Sequence, residues 1–187
     1  SKMLEFFSIC TDASSTIVDG VRKDIGDPTE VALIVACQNY VKKPVYSEFK
    51  RIEDLPFDSD RKMMTVILDY NGKYLVITKG APDIVMSNSI HTTTEEQLML
   101  DANNKMADKA LRVLGVAYKI IDTLPTELTS ANVETGLTFL GLVGMIDPAR
   151  PEVKEAIKVA SLAGIRTIMI TGDHVSTAKA IAKQLNI

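Results

Sequence analysis

Residues 64–78, with the sequence MTVILDYNGKYLVIT, decide the fold class of this chain. The segments MTVILDY and KYLVIT are rich in β-branched and aromatic residues, which favour β-strands. Asn71-Gly72 between them has the backbone freedom that a two-residue type I′ turn requires. The stretch therefore predicts an antiparallel β-hairpin, and the following Lys79-Gly80-Ala81-Pro82 is predicted to end its second strand.

Helices and further strands are predicted on both sides of this hairpin. Asp27-Pro28 is typical of a helix cap and first turn, and Glu30 can close a capping box, so a helix is predicted from residue 28 to about 41. Thr94-Glu95-Glu96-Gln97 predicts a second capping box and helix. The other predicted elements are helices over 1–8 and 82–87 and strands over 112–121 and 137–146. Residues 1–146 are thus predicted to be α+β, an antiparallel sheet with flanking helices.

The pattern changes after residue 146 to an alternation of helix, strand and helix. A helix is predicted over 151–163 with a stop at Gly164, then a buried strand over 166–170, then a helix capped by Asp173. This is the beginning of a doubly wound α/β fold. A lone parallel strand cannot pair its backbone or bury both faces. Residues 151–187 are therefore expected to dock on the rest of the chain or on a second copy, giving a dimer or an exchanged segment.

Composition and charge exclude several classes of function. The chain has 21 Lys+Arg and 24 Asp+Glu, a net charge of −3, which argues against a nucleic-acid partner. No apolar run reaches the roughly 18 to 20 residues that cross a bilayer, so this chain is expected to be soluble. Two cysteines without CxxC spacing and two histidines make no zinc pattern, and no metal site is predicted.

Taken singly, the candidate functional residues have ordinary alternatives. Thr171-Gly172-Asp173 follows the predicted strand where α/β sheets bind phosphate and Mg²⁺, yet Asp173 also suits a helix cap. Lys79 could meet a polyanion or an adenine, although a lysine beside a turn is usually solvated. Phe57 could offer its ring to a base, but aromatic rings usually bury, and the core is favoured for it. Arg112 could be an edge charge.

The order of the motifs resembles the P-type cation-transporting ATPases over essentially the whole chain. The motifs are DPTE (27–30), FDSDRK (57–62), KGAP (79–82), DPAR (147–150) and MITGDH (169–174). FDSDRKMM, TKGAPD and GMIDPAR are most similar to the calcium-pump branch. The resemblance implies that residues 1–146 are most of a nucleotide-binding (N) domain. It also implies that residues 147–187 are the hinge and the truncated start of a phosphorylation (P) domain with a haloacid-dehalogenase-like fold.

The resemblance implies a nucleotide pocket in the N domain. Phe57 would stack on adenine, Glu30 would lie near the adenine amino group, and Leu114 would pack against the base. The remaining matches are two pocket lysines, a glycine that lets the base lie close and an arginine that reaches the phosphates: Lys62, Lys79, Gly80 and Arg112. Ser59 stands where the animal reticulum pumps carry a phosphate-contacting arginine, so one phosphate contact is expected to be missing.

The resemblance also places residues of the P domain. Those matching the loop around the transferred phosphoryl group are Thr171, Gly172 and Asp173. Asp147 and Arg150 match the hinge motif. No catalytic residue is expected within the chain, because the phosphorylated aspartate of the family lies in a D-K-T-G-T motif that this sequence lacks.

The function implied is that of a membrane pump that uses ATP and Mg²⁺, forms an aspartyl-phosphate and transports a cation, calcium by branch. The chain is expected to be a fragment that binds ATP at the cytosolic face of the membrane without hydrolysing it. Its partners would be ATP and the remaining phosphorylation, actuator and transmembrane domains. The alternative functions are a soluble haloacid-dehalogenase-like phosphatase and a non-catalytic binding module. The alternative to calcium as the transported ion is magnesium or another cation.

Overall fold

A computed structural model describes residues 1–109, 111–146, 150–170 and 175–187, without the side chains of 175–177 and 180. The chain divides into two compact units, Ser1–Gln97 with Leu114–Leu142 and Leu98–Val113 with Val143–Ile187. The helices are α1 Lys2–Ile9, α2 Pro28–Tyr40, α3 Pro82–Ser87, α4 Thr93–Ala107, α5 Ser130–Val133, α6 Pro151–Leu162 and α7 Val175–Leu185. The strands are β1 Ser14–Val18, β2 Val21–Ile25, β3 Arg51–Asp58, β4 Met63–Tyr70, β5 Lys73–Gly80, β6 Arg112–Ile121 and β7 Thr138–Met145. The predicted α+β class is confirmed.

The larger sheet has the strand order β3-β4-β5-β6-β7, and β1 pairs with β2 in a separate antiparallel hairpin. The predicted hairpin is β4–β5, with Asn71 at φ 53° and Gly72 at φ 80°, as a type I′ turn requires. β5 continues through Lys79 and Gly80, two residues beyond its predicted end, because both pair with β4 and with β6.

The two faces of the β4–β5 hairpin pack against different segments. On one face, the Cys10 thiol after α1 contacts the carbonyls of Met64 and Ile77, and Lys79 meets Glu30 of α2. On the other face, Ile67 and Val76 pack with residues that include Val133 of α5. Because side chains alternate along a strand, Thr65 and Thr78 share this second face. The first unit therefore buries the hairpin from both sides.

Several predicted elements need correction. The hairpin β1–β2 and the strand β3 were not expected. β3 is the edge strand of its sheet, where Pro56 is tolerated because the missing N–H lies outside the ladder. The second capping box forms between Thr92 and Glu95 rather than from Thr94, since Thr92 N donates to Glu95 Oε2 at 2.7 Å and Glu95 N to Thr92 Oγ1 at 3.3 Å.

In the second unit, α6 ends at a Schellman motif, with Gly164 at φ 76° and Ile165 N donating to Ala160 O at 2.9 Å. The predicted strand over 166–170 is wrong: these residues form no strand and Ile168 and Ile170 are 71% and 94% exposed. A strand needs a neighbour, and none of the described residues pairs with this segment. Within the described ranges, no helix is long and apolar enough to cross a membrane.

Candidate functional site

One end of the larger sheet collects most of the predicted pocket residues. A row of cross-strand partners runs over four adjacent strands there: Asp58, Met63, Gly80 and Gly115. Four of the predicted residues each directly precede one member of this row: Phe57, Lys62, Lys79 and Leu114. Neighbouring strands lie about 4.8 Å apart, so this row spans only about 15 Å. The antiparallel topology thereby gathers residues that are far apart in sequence.

Lys79 is buried and ion-paired, with only 6% of its surface exposed. Its Nζ lies 2.5 Å from Oε1 of Glu30. The other Glu30 oxygen accepts hydrogen bonds from the backbone N–H groups of Asp12, at 3.0 Å, and Ala13, at 3.2 Å. The alternative of a solvated lysine is therefore wrong. In the α2 cap, Asp27 accepts from Thr29 N at 2.8 Å as expected, whereas the contacts of Glu30 are with Lys79, Asp12 and Ala13.

Gly80 is required by a close backbone approach. A Cβ atom at this position would lie 2.3 Å from the carbonyl oxygen of Lys62. That oxygen accepts a hydrogen bond from Ala81 N at 3.0 Å, and Lys62 itself has a left-handed backbone with φ 54°. Any larger residue at position 80 would push the Lys62 backbone away. This packing requires glycine whether or not a base also lies close to it.

Phe57 is 64% exposed, so the interpretation of Phe57 as a core residue is wrong. It lies in β3 beside a turn fixed by Asp58, whose Oδ1 accepts from Asp60 N at 2.9 Å and Arg61 N at 2.8 Å. These bonds, that from Arg61 first, lower the pKa of the Asp58 carboxyl. The same turn brings Lys62 N to the Asp58 carbonyl at 2.6 Å. The turn thus has a defined shape with an aromatic ring held in solvent.

Leu114 is half-buried and lies two residues from Val116, the cross-strand partner of Lys79. Alternation along β6 places Leu114 on the same face of the sheet as Lys79. Of the cationic candidates, Lys62 is exposed on the turn, and Arg112 begins β6 and is exposed as well. Arg112 belongs to the second unit.

Of the five residues predicted for the hinge and the phosphoryl loop, one lies within the described residues. Arg150 is exposed and occupies the N-cap position of α6. The other four positions lie outside the described residues: Asp147, Thr171, Gly172 and Asp173. Among the residues that are described, no group of three or more His, Cys, Asp or Glu side chains could hold a metal ion.

Sequence reasoning missed one charged pair near the turn. Arg61 Nε lies 2.9 Å from Oε2 of Glu134, and Glu134 has no exposed surface. Arg61 belongs to the FDSDRK motif, but no pattern around Glu134 indicated a buried carboxylate. A composition-based reading expects Glu to be solvated, and only the tertiary contact reveals otherwise.

The fold and this site define an α+β domain with a buried lysine–carboxylate pair and an exposed aromatic ring near one end of its sheet. The family model described as "P-type ATPase, cytoplasmic domain N" matches residues 1–152. The chain belongs to this family. The predicted boundary at residue 146 stays a prediction.

The sequences of individual relatives support the same family assignment. The chain is 44% identical over 199 residues to a calcium-transporting ATPase of Bacillus subtilis, covering 100% of this chain and 22% of the relative. It is 42% identical to calcium-transporting ATPase 1 of Bacillus cereus, covering 99% and 22%. A sodium/potassium exporting P-type ATPase of Schizosaccharomyces pombe is 40% identical, covering 87% and 17%. The chain therefore spans about a fifth of the length of these relatives.

Proposed function

We propose that this chain binds ATP at the end of the sheet defined by the row Asp58, Met63, Gly80 and Gly115. The observation that carries the proposal is the buried Lys79–Glu30 pair, which fixes a cationic group beside this row. A desolvated lysine is costly to maintain, even when its partner carboxylate is itself held by two backbone N–H donors, and an anionic ligand gives this lysine a purpose. Family membership supports the same assignment.

Each side chain has a role that suits a nucleotide. The exposed Phe57 ring offers a face for stacking on adenine, and Leu114 adds an apolar wall. Lys62 and Lys79 supply positive charge for phosphates. Glu30 keeps Lys79 in place and retains a carboxylate for the adenine amino group. Mg²⁺ would enter with the triphosphate and neutralise part of its charge.

For the whole protein, we propose an ATP-hydrolysing cation pump that forms an aspartyl-phosphate intermediate, with calcium as the transported ion. The relatives named as calcium-transporting ATPases support calcium. The domain would lie at the cytosolic face of the membrane and work with the remaining phosphorylation, actuator and transmembrane domains. Asp147 and Arg150 would serve the hinge, and Thr171, Gly172 and Asp173 would surround the transferred phosphoryl group.

The test is calorimetric titration of ATP into the chain and two variants. Phe57→Ala should weaken binding by roughly 1 to 3 kcal/mol, the usual contribution of a stacked base, and Lys79→Gln should weaken it as well. Tyr40→Ala, an exposed aromatic on α2, and Lys73→Gln, an exposed lysine on β5, are the matched controls. The same samples should show no ATP turnover above background.

Two outcomes would contradict the proposal. A wild-type chain that produces no heat with ATP and no nucleotide-dependent resonance shift near Phe57 and Lys79 favours a non-catalytic binding module. Equal binding by wild type, Phe57→Ala and Lys79→Gln would place any nucleotide elsewhere on the chain.

A further inference from the structure

Glu134 is a carboxylate with no exposed surface at the end of α5, within the first unit. Its Oε1 accepts a hydrogen bond from Thr65 Oγ1 at 2.6 Å, and Thr65 Oγ1 lies 2.8 Å from Thr78 Oγ1. Its Oε2 faces Arg61 Nε at 2.9 Å. The contact has the distance of an ion pair, but neither atom has a hydrogen-bond partner of good geometry, so charge attraction holds it. A buried carboxylate without such a cation would be strongly unfavourable.

Arg61 also joins the two strands that flank the turn. Its Nη2 donates to the carbonyl of Pro56 on β3 at 2.6 Å and to the carbonyl of Met63 on β4 at 3.1 Å. Pro56 directly precedes Phe57, so the guanidinium holds the backbone from which the Phe57 ring projects. The planar guanidinium contacts Glu134 through Nε and the two carbonyls through Nη2, and the single nitrogen of a lysine cannot occupy both places.

The ion pair is poorly explained as a source of stability. Buried pairs gain little over apolar residues of the same volume, because desolvation offsets their attraction. A second feature indicates that the pair positions the backbone instead. A register shift interrupts β3 between Leu55 and Asp58, so ladder hydrogen bonds alone do not fix the backbone at Phe57. Arg61, anchored by Glu134, supplies the missing constraint there.

We propose that Arg61 and Glu134 are positioning residues of the nucleotide site, holding the turn between β3 and β4 so that the Phe57 ring faces the base. The assignment rests on the proposed ATP binding. Neither side chain needs to touch the nucleotide. Glu134 fixes Arg61, Arg61 fixes the Pro56 carbonyl, and the ring of Phe57 follows.

The experiment measures ATP dissociation constants by calorimetry for Arg61→Lys and Glu134→Gln. Arg61→Lys keeps the charge and loses the fork, whereas Glu134→Gln keeps the shape and loses the charge. The matched controls are Arg22→Lys on the exposed strand β2 and the exposed Glu127→Gln. We expect both test variants to bind ATP about tenfold more weakly, because a misplaced Phe57 ring loses part of its stacking free energy. Both controls should stay within about twofold of wild type.

The same substitutions in a Phe57→Ala background separate positioning from general damage. If the pair acts through the ring, each should then weaken ATP binding by less than about threefold, because the stacking is already gone. Amide resonances of residues 57–62 should also shift in both test variants without ATP. Should Glu134→Gln fail to fold in a thermal melt, Arg61→Lys decides the matter alone.

Failure of the two proposals can be told apart. No ATP binding by the wild type refutes the proposed function itself. Wild-type binding that Arg61→Lys leaves unchanged refutes only the positioning role. An undiminished loss in the Phe57→Ala background also refutes it, because the pair would then act on the whole domain.

Discussion

At the scale of single residues, Cys10 is a fully buried thiol between α1 and the central strands. Its Sγ lies 3.4 Å from Met64 O and 3.5 Å from Ile77 O. Burial, the largest cause, raises the pKa of Cys10 to about 12, although the nearby Lys79 ammonium acts in the opposite direction. A thiol of this kind stays protonated and packs as an apolar side chain.

We expect Cys10 to make the folded chain less stable at high pH. The thiol ionises near 9.0 in the unfolded chain but only near 12 in the folded one, so between these values the unfolded chain binds fewer protons. The free energy of unfolding therefore falls as pH rises, by about 1.4 kcal/mol per pH unit from this group. Denaturant unfolding from about pH 8 to about pH 11 should show a shallower decline for Cys10→Ala than for wild type and Cys37→Ala. Parallel curves for all three would contradict this.

Motifs identified Glu30 and Lys79 as candidates, but they could not predict that the two side chains bind each other. The residues are 49 positions apart, and only the fold of α2 against β5 brings them together. Glu134 is a stronger case, because it lies 69 positions from Thr65 and belongs to no recognised motif. Burial of a charged residue depends on tertiary partners, which a local pattern does not contain.

At the scale of elements, α4 is an exposed helix that depends on its cap. Met99 is its only fully buried residue. Hydrogen bonds from the backbone and side chain of Thr92 lower the pKa of the Glu95 carboxyl, so the capping box favours ionised Glu95. Its contribution to stability is present above the unfolded pKa of 4.5 and is lost as pH falls through the lower folded value.

Thr92→Ala should lower the free energy of unfolding by about 1 kcal/mol, because it removes one side of the capping box. Thr94→Ala, one residue inside the helix, should have a smaller effect. Denaturant unfolding gives the free energies, and amide hydrogen exchange in the first turn of α4 should accelerate in Thr92→Ala only. A larger loss of stability from Thr94→Ala than from Thr92→Ala would contradict the assignment of the α4 cap to Thr92.

The elements that sequence reasoning found and missed differ in how much local signal they carry. Asn71-Gly72 between two apolar runs predicted β4–β5 correctly. Asp19-Gly20 has the same positive-φ geometry, at 53° and 77°, but its flanking strands are short and mostly exposed and lack an apolar pattern. β3 contains Pro56 and acidic residues, which obscure a strand that only its edge position permits.

At the scale of the whole molecule, the C-terminal part of the chain leaves apolar side chains in solvent. Leu162 is 81% exposed and Ile170 94% exposed. The segment 166–170 ends in the apolar run Ile168-Met169-Ile170, which is typical of a buried strand, yet within the described ranges it has no strand neighbour. Apolar side chains exposed at this density favour association.

We expect the 187-residue chain to self-associate through residues 151–187. Light scattering should report a mass that rises with protein concentration. Ile168→Lys with Ile170→Lys should reduce that rise, and Ile17→Lys on the exposed hairpin β1–β2 is the matched control. A mass of one chain, 20.4 kDa, at every concentration would contradict the expected dimer.

The exposure of the Phe57 ring has a practical consequence, because this chain contains no tryptophan. An indole introduced as Phe57→Trp would be the single fluorophore of its kind, standing in water beside the turn. Its emission would move to shorter wavelength, or be quenched, when a flat ligand covered it. The domain would thus carry its own optical reporter of the nucleotide binding that we propose.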